Sequence, residues 1–310
     1  MKQKSSFIHV FLLFLVLASF LSGCSGSEVT NKEQKPNTKR TTNTIFLEPE
    51  ASGILIYENE LVCADVSNTD NGYFMLKYSG TASSVRVQVT LPDDTIYTYA
   101  LTPGTLETIP LTGGDGNYHM DVLEHVSDSM YALVFSQDFS VSITSEFAPY
   151  LYPNQYVWYT PDSEAASFGI TLSDQAANDL DYLEKVYKYV IENISYDLDL
   201  AKNIPLNYIP DIDQVLSSKK GICFDYASLM TALLRTQNIP TKLVVGYSGT
   251  AYHAWINVWS ENTGWVEGVV YFDGTAWQRM DPTFASSGKQ SASIMKYIGD
   301  GKNYTEKYLY

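Results

Sequence analysis

The sequence predicts an α+β protein in which an antiparallel β-sandwich precedes a domain of helices followed by an antiparallel sheet. Two changes in apolar spacing support this prediction. Between residues 45 and 148 apolar residues recur with period two, as in strands with one buried face. After residue 172 the spacing changes to three and four, as on a helix, and strand-like runs return after residue 240. Helices grouped before strands are typical of the α+β class.

The N-terminus reads as an export signal. Lys2 and Lys4 precede an apolar stretch at residues 7–21 that is short for a membrane-spanning helix. Leu-Ser-Gly-Cys at residues 21–24 resembles the lipobox of bacterial lipoproteins, which implies cleavage before Cys24 and lipidation of its thiol. We therefore expect a signal peptide at 1–23, a flexible polar spacer at 24–44 and an extracytoplasmic protein held on a bacterial membrane by lipid.

The predicted β-sandwich domain comprises residues 45–148. Val85, Val87 and Val89 alternate with polar residues, and turn signals such as Asn71-Gly72 separate the runs. Short strands at this spacing are typical of an antiparallel sandwich. Further strands are expected at 53–57, 61–64, 73–78, 95–101, 118–123 and 130–135.

The second predicted domain comprises residues 149–310 and begins with a connection at 149–167 that contains three prolines. An apolar stripe predicts a helix over Ser173–Asn193, and a second stripe predicts one from Cys223 to Gln237. The strands that follow are expected at 241–247, 252–260, 264–272 and 275–280.

Composition excludes some classes of function. The formal net charge is −15, from 20 basic and 35 acidic residues, which argues against nucleic acid as a partner because phosphate binding needs clustered Lys and Arg. None of the four histidines combines with cysteines at metal-ligand spacing, so we expect neither a metal nor a cofactor. Cys63 and Cys223 are expected to stay unpaired, with Cys63 as a small buried residue.

Three residues suggest a cysteine acyl-transfer site. Cys223 opens the second predicted helix, where unpaired backbone N–H groups and the helix dipole favour a thiolate. His253 is the histidine available in this half of the chain, and it lies on a predicted strand. A carboxylate on a neighbouring strand would fix its tautomer.

Three acids compete for that role. Asp281 ends the strand after His253, whereas Asp225 lies two residues past Cys223 on the helix, a poor position for the far side of the imidazole. Asp273 is a further rival. We prefer Asp281.

These motifs resemble the core of the transglutaminase-like superfamily. The matching stretches are Gly-Ile-Cys-Phe-Asp-Tyr-Ala at 221–227, Tyr-His-Ala-Trp at 252–255 and Asp-Pro-Thr at 281–283, within a resemblance that spans about 165–290. The resemblance implies a papain-like α+β domain with Cys223 as nucleophile, His253 as base and Asp281 as orienting acid. The β region and the spacer lie outside it.

The function that follows is a surface-anchored cysteine hydrolase or acyltransferase. It would act on peptide or amide bonds through a thioester, with proteins or cell-wall peptides as substrates and with hydrolysis favoured over cross-linking. The alternative is a non-catalytic binding or assembly module that uses the β-sandwich for recognition. Tyrosine is common on recognition surfaces, and the chain has 24 of them.

Overall fold

The structure is a computed structural model that describes residues 44–261, 263–268, 270–272, 277–279, 281–283, 286 and 302–310. These residues belong to one compact unit. The predicted signal peptide, Cys24, the spacer up to residue 43 and Asp273 lie outside the described residues, and the predicted boundary at residue 148 stays a prediction.

The first part of the described chain consists of eight strands. They are β1 (Ile56–Glu58), β2 (Val62–Asp65), β3 (Tyr73–Tyr78), β4 (Val85–Thr90), β5 (Ile96–Leu101), β6 (Leu106–Pro110), β7 (Gly116–Ser127) and β8 (Met130–Val141). They form two antiparallel four-stranded sheets, ordered β1-β2-β3-β6 and β5-β4-β7-β8.

The period-two pattern determines which face of these strands is buried. Val85, Val87 and Val89 are all buried on β4, where their alternating polar neighbours are half-buried. The two sheets contribute to one hydrophobic core, in which the ring of Phe74 lies 5.4 Å from the ring of Phe139. The sequence missed β6, which is short and ends in Pro110.

Five helices and two short strands follow. They are α1 (Glu164–Asp174), α2 (Asp179–Asn193), β9 (Ser195–Tyr196), α3 (Leu198–Lys202), α4 (Ile212–Ser218), β10 (Lys220–Gly221) and α5 (Cys223–Arg235). The single helix expected at Ser173–Asn193 is in fact the last two residues of α1, a break and α2. The break arises because Asn178 caps α2, its side chain accepting from the backbone N–H of Asp181.

The remaining strands are β11 (Thr241–Ser248), β12 (Ala251–Ser260), β13 (Gly264–Val266), β14 (Val270–Phe272), β15 (Trp277–Arg279) and β16 (Tyr304–Leu309). One antiparallel sheet has the order β13-β12-β11-β16, and β14 pairs with β15. The strand expected at 264–272 is divided by Gly268, which has a φ of 74°. The α+β class is confirmed, whereas β16 was not predicted.

Helix α5 lies at the centre of the second part. Asp225 and every later residue of this helix are buried. It contacts β11, β12, α1, α2 and α4, so its N-terminus is held by packing on several sides. Among the described residues, no helix is long and apolar enough to cross a membrane.

Candidate active site

Cys223 is the first residue of α5, and a short parallel ladder holds the turn before it. Residues of β10 pair with β9, and the N–H groups of Ser195 and Asp197 donate to the backbone oxygens of Lys219 and Gly221, each at 2.9 Å. Lys219 adopts a positive φ of 57° at the end of α4. The cysteine therefore enters the helix from a fixed backbone, with its side chain half-buried.

Asp225 acts within this turn. Its Oδ2 accepts from the backbone N–H of Ile222 at 2.7 Å, and its Oδ1 accepts from the hydroxyl of Tyr208 at 2.7 Å. A Cβ on Gly221 would lie 2.7 Å from the Cβ of Asp225, so glycine is needed there. Burial raises the pKa of Asp225 despite these donors. Its oxygens are engaged in fixing the start of α5.

His253 instead bonds Asp281. The imidazole Nε2 lies 2.5 Å from Asp281 Oδ2, and both side chains are buried. His253 is on β12, opposite Gly246 of β11, and its ring stacks beside that of Trp255 at 6.1 Å. Parity on β12 thus places the imidazole and this tryptophan on one face, as the sequence indicated.

Two further donors hold the Asp281 carboxylate. The backbone N–H of Thr283 donates to Oδ1 at 2.9 Å, and the hydroxyl of Tyr304 donates to Oδ2 at 2.9 Å. Tyr304 lies on β16, which no sequence pattern had identified. The carboxylate is therefore fixed from three directions although it is buried.

The electrostatics favour a charged imidazole. Burial alone would lower the pKa of His253, but the charge and hydrogen bond of Asp281, together with those of Cys223, raise it above its ordinary value. Because Asp281 occupies Nε2, Nδ1 is the nitrogen left to hydrogen-bond Cys223. The structure thus brings together Cys223, His253 and Asp281, and it leaves Asp225 outside that chain of contacts.

Tyr196 is a further neighbour that sequence reasoning missed. It lies on β9, where its Cα pairs with that of Gly221. Burial, and then the negative charge of Cys223, raise the pKa of Tyr196 to about 12. Its hydroxyl therefore stays protonated at neutral pH.

Cys223 and His253 open onto a cavity of about 300 Å³. Its walls are mainly apolar and aromatic, and they include Phe224, Tyr252 and Tyr310. An apolar cleft of this size with a few polar groups on its wall is the usual form of a small-molecule or side-chain binding site. Asp281 lies behind the imidazole and does not line the cavity.

Cys63 takes no part in these contacts. Cys63 is free on β2 and half-buried, more exposed than expected, and burial raises the pKa of its thiol. Cys24 lies outside the described residues. Among the described residues, no group of three His, Cys, Asp or Glu side chains is placed to hold a metal ion.

Comparison with known proteins identifies the fold that carries this site. Residues 167–282, a segment that includes all three residues, match the sequence model of the Transglutaminase-like superfamily.

Two relatives and one solved structure are also similar. The UPF0252 protein MJ1282 of Methanocaldococcus jannaschii is 35% identical over 96 residues, covering 27% of each chain. The uncharacterized protein YebA of Bacillus subtilis is 29% identical over 174 residues, covering 51% of this chain and 23% of YebA. The chain thus matches about a quarter of the length of these relatives. The periplasmic domain of TgpA from Pseudomonas aeruginosa aligns with a TM-score of 0.34 at 14% identity, covering 78% of this chain and 99% of that domain.

Proposed function

We propose that this protein is a cysteine acyl-transfer enzyme that cleaves peptide or amide bonds. One observation carries the proposal: His253 lies between Cys223, on the wall of an open cavity, and the buried carboxylate of Asp281. In this assignment Cys223 is the nucleophile, His253 the general base and acid, and Asp281 the group that orients and stabilises the imidazolium.

The reaction follows from these positions. The thiolate of Cys223 attacks the amide carbonyl carbon, and the carbonyl oxygen becomes an oxyanion beside the N-terminus of α5. The C–N bond then breaks, the His253 imidazolium gives its proton to the leaving amine, and a thioester remains on Cys223. Neutral His253 next takes a proton from water, whose oxygen attacks the thioester. The carboxylic acid leaves and the thiol is restored.

Hydrolysis is the outcome we favour over cross-linking. Tyr252, on the wall of the cavity, is 59% exposed, so the thioester would be open to water. A test uses the p-nitrophenyl ester of acetyl-phenylalanine with and without a lysine-like amine. Hydrolysis predicts that acetyl-phenylalanine remains the main product, whereas predominant formation of the amide would show that the enzyme transfers to amines.

We also propose where the enzyme works. Lipidation at Cys24 and the spacer at 24–44 would hold the folded part outside a bacterial membrane, with a β-sandwich at 45–148 ahead of the enzyme domain. Its substrates would then be exported peptides or proteins, with cell-wall peptides among the candidates. Membrane fractionation of the wild-type chain and of Cys24→Ala tests the anchor: the variant should move to the soluble extracytoplasmic fraction.

The decisive experiment measures the rate at which iodoacetamide alkylates Cys223 at pH 7, with peptide mapping to separate Cys63. His253→Ala should slow alkylation by about 10-fold or more, because an imidazolium next to the sulfur favours the reactive thiolate. His125→Ala is the matched control and should change nothing, since its ring bonds only the backbone oxygen of Asp128 in the contacts seen. Equal rates in wild type and His253→Ala would contradict the enzyme and favour a binding module on the β-sandwich.

A further inference from the structure

Three cavities adjoin one another in succession, and Cys223 lines the first of them. The first is the 300 Å³ cavity of the thiol, the second has about 170 Å³ and the third about 390 Å³. Tyr156 and Tyr208 line both the first and the second. Gln155 and Ile209 line both the second and the third. Neighbouring cavities therefore adjoin, and we call the three together the long groove.

The two sheets of the first part supply one side of the long groove. Arg86 of β4, Thr98 of β5 and Tyr131 of β8 line the second cavity, and Leu106 of β6 lines the third. The side chain of Gln155, which lines the second and third cavities, donates to the backbone oxygen of Ala100 on β5 at 2.6 Å. The region outside the superfamily match is therefore part of the surface that leads to the thiol.

The opposite side is the segment 203–211 between α3 and α4, and it presents apolar side chains to solvent. Leu206 is 92% exposed and lines the second cavity, and Ile204 is 53% exposed and lines the first. Trp158, at the third cavity, is also exposed. Exposed apolar groups grouped along a cleft mark a binding surface, because solvent exposure of this area is unfavourable until a ligand covers it.

We propose that the long groove binds the substrate of Cys223 as an extended polypeptide, with an aromatic or large apolar residue beside the reacting carbonyl. This inference rests on the proposed function and adds the substrate class. The first cavity selects the residue next to the carbonyl, since Phe224, Val245 and Tyr310 form its walls. A small amide would fill only that cavity, whereas a polypeptide has side chains to place in all three.

The test uses epoxysuccinyl peptides, which alkylate active-site thiols and can be extended from either carboxyl group. Three probes are made for extension from each of the two carboxyl groups. They carry a single phenylalanine, a single glutamate, or a tetrapeptide that starts with phenylalanine. Alkylation of Cys223 is followed by intact mass. We expect phenylalanine to react at least about 10-fold faster than glutamate, and the tetrapeptide in one direction to gain about 10-fold more, as about 1.4 kcal/mol of added contact would give.

Leu206→Glu removes the apolar contact without disturbing a buried group, so it should abolish the gain of the tetrapeptide over the single-residue probe. Ile54→Glu is the matched control, since Ile54 is 85% exposed and lines none of the three cavities. The inference would be overturned if the tetrapeptide probes alkylated Cys223 no faster than the single-residue probes in both directions. It would also be overturned if the gain in rate survived Leu206→Glu. Iodoacetamide labelling separates the two proposals, because an unreactive Cys223 contradicts the enzyme itself.

Discussion

At the scale of single residues, the proposed chemistry depends on one buried carboxyl group that accepts from three donors. Asp281 accepts from His253, from the Thr283 backbone and from Tyr304. A buried carboxyl group is costly unless it is hydrogen-bonded, so these three contacts offset the cost of burying Asp281 beside the imidazole.

Tyr304→Phe tests the contribution of the phenol. The change keeps the ring and removes one donor to a buried carboxylate, so the free energy of unfolding should fall by about 1–2 kcal/mol. Urea unfolding measures it, with Tyr247→Phe as the control because Tyr247 is 40% exposed. A loss no larger than the control's would mean that Asp281 does not depend on Tyr304.

The raised pKa of His253 predicts how stability depends on pH. Its stabilising contribution is complete below the unfolded pKa of about 6.5, and it is lost as pH rises through the higher folded pKa. Two proteins that both carry Cys223→Ser are compared, one with His253 and one with His253→Gln. Their free energies of unfolding should differ most at about pH 6. Urea titrations across the neutral and alkaline range check this, and a difference that grows with pH would contradict it.

Site residues could be selected from sequence where a motif places them in order along the chain. Cys223, His253 and Asp281 were selected in this way, because the first opens an amphipathic helix, the second lies on a later strand and the third follows the end of another strand. Tyr304 and Tyr208 were not, because they meet the site from elements without a strong period. These tyrosines are recognised as part of the site only from tertiary contacts, such as the hydrogen bond from Tyr208 to Asp225.

At the scale of elements, the site depends on how closely β16 approaches β11. A Cβ on Gly246 would lie 2.1 Å from the backbone oxygen of Thr305, so only glycine allows the two strands to pair as they do. The ladder also shifts register between Val245 and Gly246. The position of Tyr304 on β16 follows from this contact.

Gly246→Ala should therefore displace β16 and weaken the support of Asp281. We expect a loss of about 2 kcal/mol or more in the free energy of unfolding, together with slower alkylation of Cys223. Thr305→Ala is the matched control, since it trims an exposed side chain at the same point and adds no atom. Wild-type alkylation in Gly246→Ala would show that the site tolerates movement of β16.

Element prediction succeeded where periodicity was long and failed where it was brief. Helix α5 begins at Cys223 as expected and ends two residues earlier than predicted. In contrast, α1, β6 and β16 were missed. The six residues of β16 alternate weakly and include two charged side chains, so their pairing with β11 depends on the rest of the fold.

At the scale of the whole molecule, one buried arginine joins three parts of the described chain. Arg235, at the end of α5, donates to the backbone oxygens of Tyr152, Thr241 and Tyr310 at distances of 2.7–3.0 Å. Burial lowers its pKa to about 10, so it remains charged at neutral pH. It ties the stretch after the β sheets to β11 and to the residue after β16.

Arg235→Met should remove these donors from the three backbone oxygens, of which that of Tyr310 still accepts from the N–H of Leu243. The expected cost is about 3 kcal/mol in the free energy of unfolding, measured in urea. Arg86→Met serves for comparison, because Arg86 is half-buried and lies over the ring of Tyr131. Similar losses in both variants would argue against a special role for Arg235.

The late position of Tyr304 in the chain has a consequence for biosynthesis. During synthesis, Cys223 and His253 leave the ribosome well before the strand that completes the support of Asp281. Until that strand docks, the Asp281 carboxyl group lacks one of its three donors. A newly made chain therefore completes the support of the His253–Asp281 pair only after β16 has paired with β11.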